Sequence, residues 1–324
     1  MTTPTLLAVP NISEGRDRVA IAAIGEAFAA QVGVRGLDTH SDGDHHRTVF
    51  TLAGHPIALG DALLIGARTA VRQIDLMTRS SMTGAPMTGA PMTAPDRSQV
   101  GQHPHVGAID VVPVVYLDNA ARGAACAEAL VVADRIGEEL RVPVFLYGAL
   151  GGGRTRAELR RGGVARLAER MHAGELRPDF GPRIAHPGAG ATLVAAREPL
   201  VAFNLQLASP ATVEDARAIA TLIREGGAEG LPGLRAIGLE LGGTLAAGAV
   251  VAPGETVAQV SMNVERPLEL PLATVVEAVG RHAEIASAEL VGLAPRAALE
   301  GFPDEVQLIG FDPDRHLIEN ALGF

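Results

Sequence analysis

The chain has 324 residues, 47% apolar and 20% charged, with a formal net charge of −10, one cysteine and no tryptophan. That length suffices for two compact domains, and the apolar share is that of a globular protein rather than a disordered one. The acidic excess argues against nucleic acid as the main partner, the lone Cys126 against an internal disulfide or a cysteine zinc site, and the absence of lysine against Schiff-base or P-loop chemistry.

Residues 6–12 read as a buried strand ending at the turn Asn-Ile-Ser-Glu-Gly-Arg. Residues 18–32 carry helical spacing, with Ser13 or Asp17 as N-cap. Two strands, 34–39 and 48–52, flank the polar loop His-Ser-Asp-Gly-Asp-His-His-Arg. A helix over 56–74, a strand over 108–117, a helix over 121–140 and a strand over 142–147 follow. Residues 77–100 hold MTGAP, MTGAP and MTAP in tandem; such proline and glycine content forbids a long helix and reads as an exposed loop. The core of this order is a ferredoxin-like split β-α-β arrangement, extended by one more helix and strand.

A run rich in proline and glycine, residues 177–190, marks a change of unit. Beyond it come one or two strands over 193–207, a helix over 212–225, strands over 234–241 and 257–264, a helix over 272–283 and a strand over 289–293. The expected class is therefore α+β: two ferredoxin-like subdomains, 1–182 and 183–324, each a sheet with helices on one face. No apolar run approaches the roughly 20 residues that cross a bilayer, and the N-terminus lacks the features of a signal peptide. A cytoplasmic protein with no membrane partner is the expectation.

Five of the ten histidines fall in two short segments, His40 to Arg47 and His103-Pro104-His105. If both lie at one end of the sheet, imidazoles, carboxylates and Arg47 converge, combining a base tunable near neutral pH with an anion clamp. A metal-dependent hydrolase is the rival, with ligands among His45, His46, His103, His105, Asp42 and Asp44. No HExxH pair at helical spacing supports it, and no metal is expected.

These segments resemble a known family. VPNISEGRD at 9–17, DTHSDGDHHRTVFTLAG at 38–54 and GQHPHVGAIDVVPVVYL at 101–117 are similar to three motifs of the glutamate formimidoyltransferases. DFGP at 179–182, HPGAGAT at 186–192, AFN at 202–204, QVSMNV at 259–264 and AELVGLAP at 288–295 continue the series in the family's order. Gln102 stands where the family usually has glutamate, His105 where it has arginine, His46 where it commonly has asparagine, and His40 where aspartate is frequent.

The resemblance implies a homodimeric enzyme of histidine degradation, without the cyclodeaminase domain fused to the animal enzymes, that moves a formimidoyl group from N-formimidoyl-L-glutamate to tetrahydrofolate as co-substrate. It implies two α/β subdomains with folate between them, and His103 as the catalytic histidine. The folate-lining segment falls on Gly181, Pro182, Arg183, Ile184, Ala185, His186, Pro187, Gly188, Ala189 and Gly190. His40 and Asp38 are expected to orient or polarise His103, and Asn11, His46, Arg47 and His105 to meet substrate. Either Arg47 or Arg183 suits a substrate carboxylate; a surface ion pair is the alternative for both. A related folate enzyme with another one-carbon group or amino-acid donor is the alternative function.

Overall fold

The computed structural model describes residues 3–76, 104–242 and 256–323. His103 and the tandem-repeat segment 77–100 lie outside them. The chain divides into two units, Met1–Arg197 and Glu198–Phe324.

In the first unit the N-terminal strand is broken into β1 (Leu6–Ala8) and β2 (Asn11–Ile12). The break falls at Val9-Pro10, where proline has no N–H to give the ladder. The sheet continues through β3 (Val34–Asp42), β4 (Arg47–Gly54), β5 (Ile109–Val115), β6 (Val144–Leu146) and β7 (Thr192–Arg197). β4 pairs antiparallel with β1, β2 and β3, and β5 antiparallel with β1 and β2. This is the order of a split βαββαβ unit, to which β7 and then β6 add in parallel.

Three long helices cover one face: α1 (Arg18–Ala29), α2 (Ala58–Gln73) and α3 (Arg122–Glu139). Asp17 caps α1 by accepting from the N–H groups of Val19 and Ala20. The apolar side of α1, Ile21, Ile24 and Phe28, joins Leu59 and Leu63 of α2 over Phe50 and Leu52 of β4. Phe28 and Phe50 meet with ring centroids 5.2 Å apart. Burying one such ring is worth about 1.5–3 kcal/mol.

Two short helices, α4 (Arg156–Arg160) and α5 (Gly163–His172), cover part of the other face. Their Leu159, Leu167 and Met171 pack with Val111, Phe145, Tyr147 and Leu193. The first unit therefore carries helices on both faces at its β5–β7–β6 end, in addition to the expected layer. The division of the chain falls after Arg197 and not at the proline-glycine run, because β7 lies hydrogen-bonded between β5 and β6. The stretch 193–207 is thus two strands in two different sheets.

The second unit repeats the split order: β8 (Val201–Leu207), α6 (Val213–Ile223), β9 (Leu234–Leu241), β10 (Val257–Val264), α7 (Leu272–Gly280) and β11 (Ile285–Val291), with β12 (Leu308–Ile309) added beside β11. Val201, Phe203, Leu205 and Leu207 of β8 pack with α6 and α7. The alternate residues face away, where Asn204 donates to Glu289 Oε2 at 3.0 Å and Ser287 donates to Gln206 at 2.7 Å.

Candidate functional site

Register decides which side chains share a face. Phe50 and Leu52 of β4 point into the core beneath α1 and α2, so Arg47, Val49 and Thr51 point the other way. Opposite Val49 stand His40 on β3 and Asn11 on β2; opposite Thr51 stands Asp38; opposite Arg47 stands Asp42. Asn11, Asp38, His40 and Arg47, drawn from separate segments, therefore occupy one face of the sheet. Asn11 Nδ2 is held by Val9 O at 2.9 Å.

The strands that follow the two histidine segments lie side by side with β2, since Ile12 pairs with both Thr48 and Ile109; of the second segment only Pro104 and His105 are among the described residues. On β5 the ladder slips: Asn11 faces Val111 while Ile12 faces Ile109, leaving Asp110 as the extra residue of a β-bulge. A bulge re-aims a side chain. Here it delivers a fully buried carboxylate to Arg47 Nη2 at 3.1 Å, to Arg160 Nη2 and to the Val106 N–H at 2.8 Å. Burial alone would raise the Asp110 carboxyl. Arg160 and Arg47, the Val106 N–H and His105 outweigh it and hold the group below its ordinary value. Arg47 is pushed down to about 10 by its own burial and by Arg160 and Arg156, with Asp110 pulling against them.

The loop between β3 and β4 is organised by Asp42, whose Oδ1 accepts from the N–H groups of Asp44 and His45 at 2.8 Å each. His45 is buried, 3.7 Å from Asp42 Oδ2. Burial lowers its pKa against the pull of Asp42, and Arg47 and His40 add to the lowering. His46 takes a left-handed φ of 49°. Its Nδ1 accepts from the Gly15 N–H at 3.2 Å, so in the neutral ring the proton sits on Nε2. Glu14, also buried, accepts from the N–H groups of Arg16 and Asp17 and lies 3.5 Å from His46 Nδ1. Gly15 is required here: a Cβ on it would stand 2.0 Å from Asp42 O and 2.7 Å from Arg47 N.

The remaining predicted segments are drawn to the same strands. Ser13 donates its hydroxyl to Gly107 O at 2.7 Å, while Ala108 N donates to Ala189 O and Ala191 N to Val106 O, both at 2.9 Å. Ala189 and Gly190 are thereby fastened beside the stretch that follows His105. The segment's start is held elsewhere, with Gly181 against Gly137 of α3. Its middle, Arg183 and Ile184, is exposed, with Pro182 and Ala185 half-buried beside them and Pro187 exposed. His186 holds the turn, its Nδ1 accepting from Gly188 N at 3.2 Å and Ala189 N at 2.9 Å. Arg47 is thus the arginine built into a buried site and Arg183 is the one on the surface.

Sequence reasoning missed Asp110, Arg156 and Arg160. Asp110 had a signal, being the lone charge in the apolar run GAIDVVPVV. Arg156 and Arg160 stand one helical turn apart on α4, which opens on a capping box between Thr155 and Glu158. Among the described residues no group of three histidine, cysteine, aspartate or glutamate side chains is placed to hold a metal ion. His103, a member of that alternative donor set, is not among them. No helix among the described residues is long and apolar enough to cross a membrane.

The sequence has relatives. The family model described as "Formiminotransferase domain, N-terminal subdomain" matches residues 5–91 and 96–197. The chain is 31% identical to a glutamate formimidoyltransferase of Streptococcus pyogenes serotype M1, with 97% of each chain covered. It is 33% identical to the formimidoyltransferase-cyclodeaminase of Rattus norvegicus and 34% identical to that of Sus scrofa, covering 90% and 97% of this chain. It spans 50% and 56% of those two relatives' lengths.

Proposed function

This chain belongs to the formiminotransferase family, and on that premise we propose that it moves the formimidoyl group of N-formimidoyl-L-glutamate onto N5 of tetrahydrofolate. N5 attacks the amidine carbon and a tetrahedral intermediate forms. The bond from that carbon to the glutamate nitrogen then breaks, releasing L-glutamate and 5-formimidoyl-tetrahydrofolate. N5 loses one proton and the departing nitrogen gains one.

In this proposal His103 carries that proton, a task worth about two to four orders of magnitude in rate. Asp38 and His40, on one face of β3, orient it, and Asn11, His46 and His105 meet substrate. Arg47 takes a substrate carboxylate. The segment from Gly181 to Gly190 lines the folate pocket. The family resemblance further supports a cytoplasmic homodimer, for which sedimentation of the purified protein is the check.

The observation that carries the reading is the assembly of Asn11, Asp38, His40 and Arg47 on one sheet face, beside the segment fastened to Ala189 and Gly190. Incubation of the protein with tetrahydrofolate and N-formimidoyl-L-glutamate, following glutamate release and the folate spectrum, tests it. Release of glutamate that needs folate supports the proposal. Release without folate, abolished by chelators, would favour the metal-dependent hydrolase instead.

A further inference from the structure

Among the described residues Asp110 is the one hydrogen-bond partner of the Arg47 guanidinium, and it takes Nη2 alone. The rest of the fork stays open to a planar anion, on a side chain that is only 16% exposed. The aim of Arg47 is therefore set by where Asp110 is held.

Three features hold Asp110. The bulge on β5 sets the direction of its side chain. The Val106 N–H, bonded to Oδ1 at 2.8 Å, fixes the rotation of the carboxylate. Arg160 of α4 bonds Oδ2, the same oxygen that Arg47 bonds. One oxygen divided between two guanidiniums orients Arg47 without neutralising it in full. The acidity of Arg47 carries the same mark: burial lowers its pKa to about 10, Arg160 and Arg156 add to the lowering, and Asp110 opposes them. A buried ion cluster is a poor source of stability, so its place beside an arginine that meets substrate calls for a use beyond folding.

We propose that Asp110 and Arg160 are positioning residues that act on the reaction through Arg47, aiming its open edge at a substrate carboxylate. The inference rests on the formimidoyl-transfer reading for the identity of that substrate, and on Arg47 as the group that receives its carboxylate. Two sources carry that chemistry, the donor and the glutamate end of folate, and the test separates them.

The test is a pair of double-mutant cycles in the full chain, Arg47→Gln with Asp110→Asn and Arg47→Gln with Arg160→Gln. Asparagine matches the shape of aspartate and keeps an oxygen for the Val106 N–H, so what changes is the charge facing Arg47. Arg160→Gln leaves the Arg47–Asp110 pair in place and carries the test if Asp110→Asn does not fold. KM is measured separately for N-formimidoyl-L-glutamate and for tetrahydrofolate, together with kcat, and L-glutamate alone is titrated by calorimetry. Each single variant is expected to raise one KM about tenfold with a smaller change in kcat. The substrate whose KM rises is the one that Arg47 holds. In the Arg47→Gln background neither second substitution is expected to move that KM by more than about twofold, because the group it acts through is gone. Effects that multiply with that of Arg47→Gln would overturn the inference. So would an unchanged KM in Arg47→Gln, or in a folded Asp110→Asn or Arg160→Gln of lowered stability, and continued transfer by the wild type would then leave the transferase reading standing. If the wild type transfers no formimidoyl group yet L-glutamate affinity follows the same non-additive pattern, the positioning stands and the transferase reading fails. A wild type that neither turns over nor binds L-glutamate overturns both.

Discussion

Asp110 and Arg47, 63 residues apart in the chain, meet as a buried ion pair at 3.1 Å. The pair joins the histidine-rich loop after β3 to the strand that follows the second histidine segment. Its partner Arg160 ties in α4 as well. A buried ion pair is weak grounds for stability in itself, but breaking one is expensive, because the survivors keep their charge.

Asp110→Asn leaves Arg47 and Arg160 buried without their anion. The expected loss is about 3–5 kcal/mol in the first unit, read as a fall in its urea midpoint at neutral pH. A change below about 1 kcal/mol would mean that water already reaches and screens the pair.

Gly15→Ala drives a methyl into Asp42 O and Arg47 N, both backbone atoms with no flexible end to yield. A loss of about 1–3 kcal/mol is expected from such overpacking, together with reduced activity, since the displaced backbone positions His46 and Arg47. Wild-type stability combined with wild-type turnover would show that the two loops can separate freely.

Ile57 precedes α2 with φ at +74° and is 77% exposed. Its N–H donates to Glu128 Oε2 at 3.0 Å, so the backbone is held in this conformation. Ile57→Gly relieves strain of about 1–3 kcal/mol and gives back about 0.5–1 kcal/mol in backbone entropy. The melting temperature is expected to rise; a fall would show that the isoleucine side chain contributes packing that its exposure conceals.

His45 gives the first unit an acid limb. Its folded pKa lies below the ordinary 6.5, chiefly through burial, with Arg47 and His40 adding and Asp42 opposing. Below pH 6.5 the unfolded chain therefore takes up a proton that the folded chain refuses. The stability owed to this group is complete above 6.5 and drains away as the pH falls, by up to about 1.4 kcal/mol per pH unit. His45→Gln is expected to flatten the limb between pH 7.5 and 5.5, leaving the slope that His186, also lowered by burial, supplies. Superimposable slopes for variant and wild type would remove His45 as the cause.

Much of this architecture is legible in the residues. Alternation and helical spacing place α1, α2, α3 and both split sheets within a few positions, because each long element shows a repeated apolar face. Asn11, Asp38, His40 and Arg47 are recognisable from motif and charge type. Their sharing of one face is not, since it depends on register and on the irregularity between Gly36 and Asp38. The bulge that aims Asp110 is hidden in the same way: nothing local distinguishes a bulged aspartate from a misplaced one. α4 has five residues, too few for a periodic signal, so Arg156 and Arg160 escape notice although the Thr155–Glu158 box marks its start. The division at Arg197 was obscured by a proline-glycine run upstream of it, which belongs to a loop inside the first unit.

The proposed activity is folate-dependent formimidoyl transfer with His103 moving the proton. Its most direct test is turnover of N-formimidoyl-L-glutamate with tetrahydrofolate by the wild type and by His103→Ala. The expected result is stoichiometric glutamate and 5-formimidoyl-tetrahydrofolate from the wild type, and at least about a hundredfold lower kcat from a variant with an unchanged unfolding curve. Near wild-type kcat in His103→Ala, or no folate-dependent glutamate release from either protein, would contradict the account.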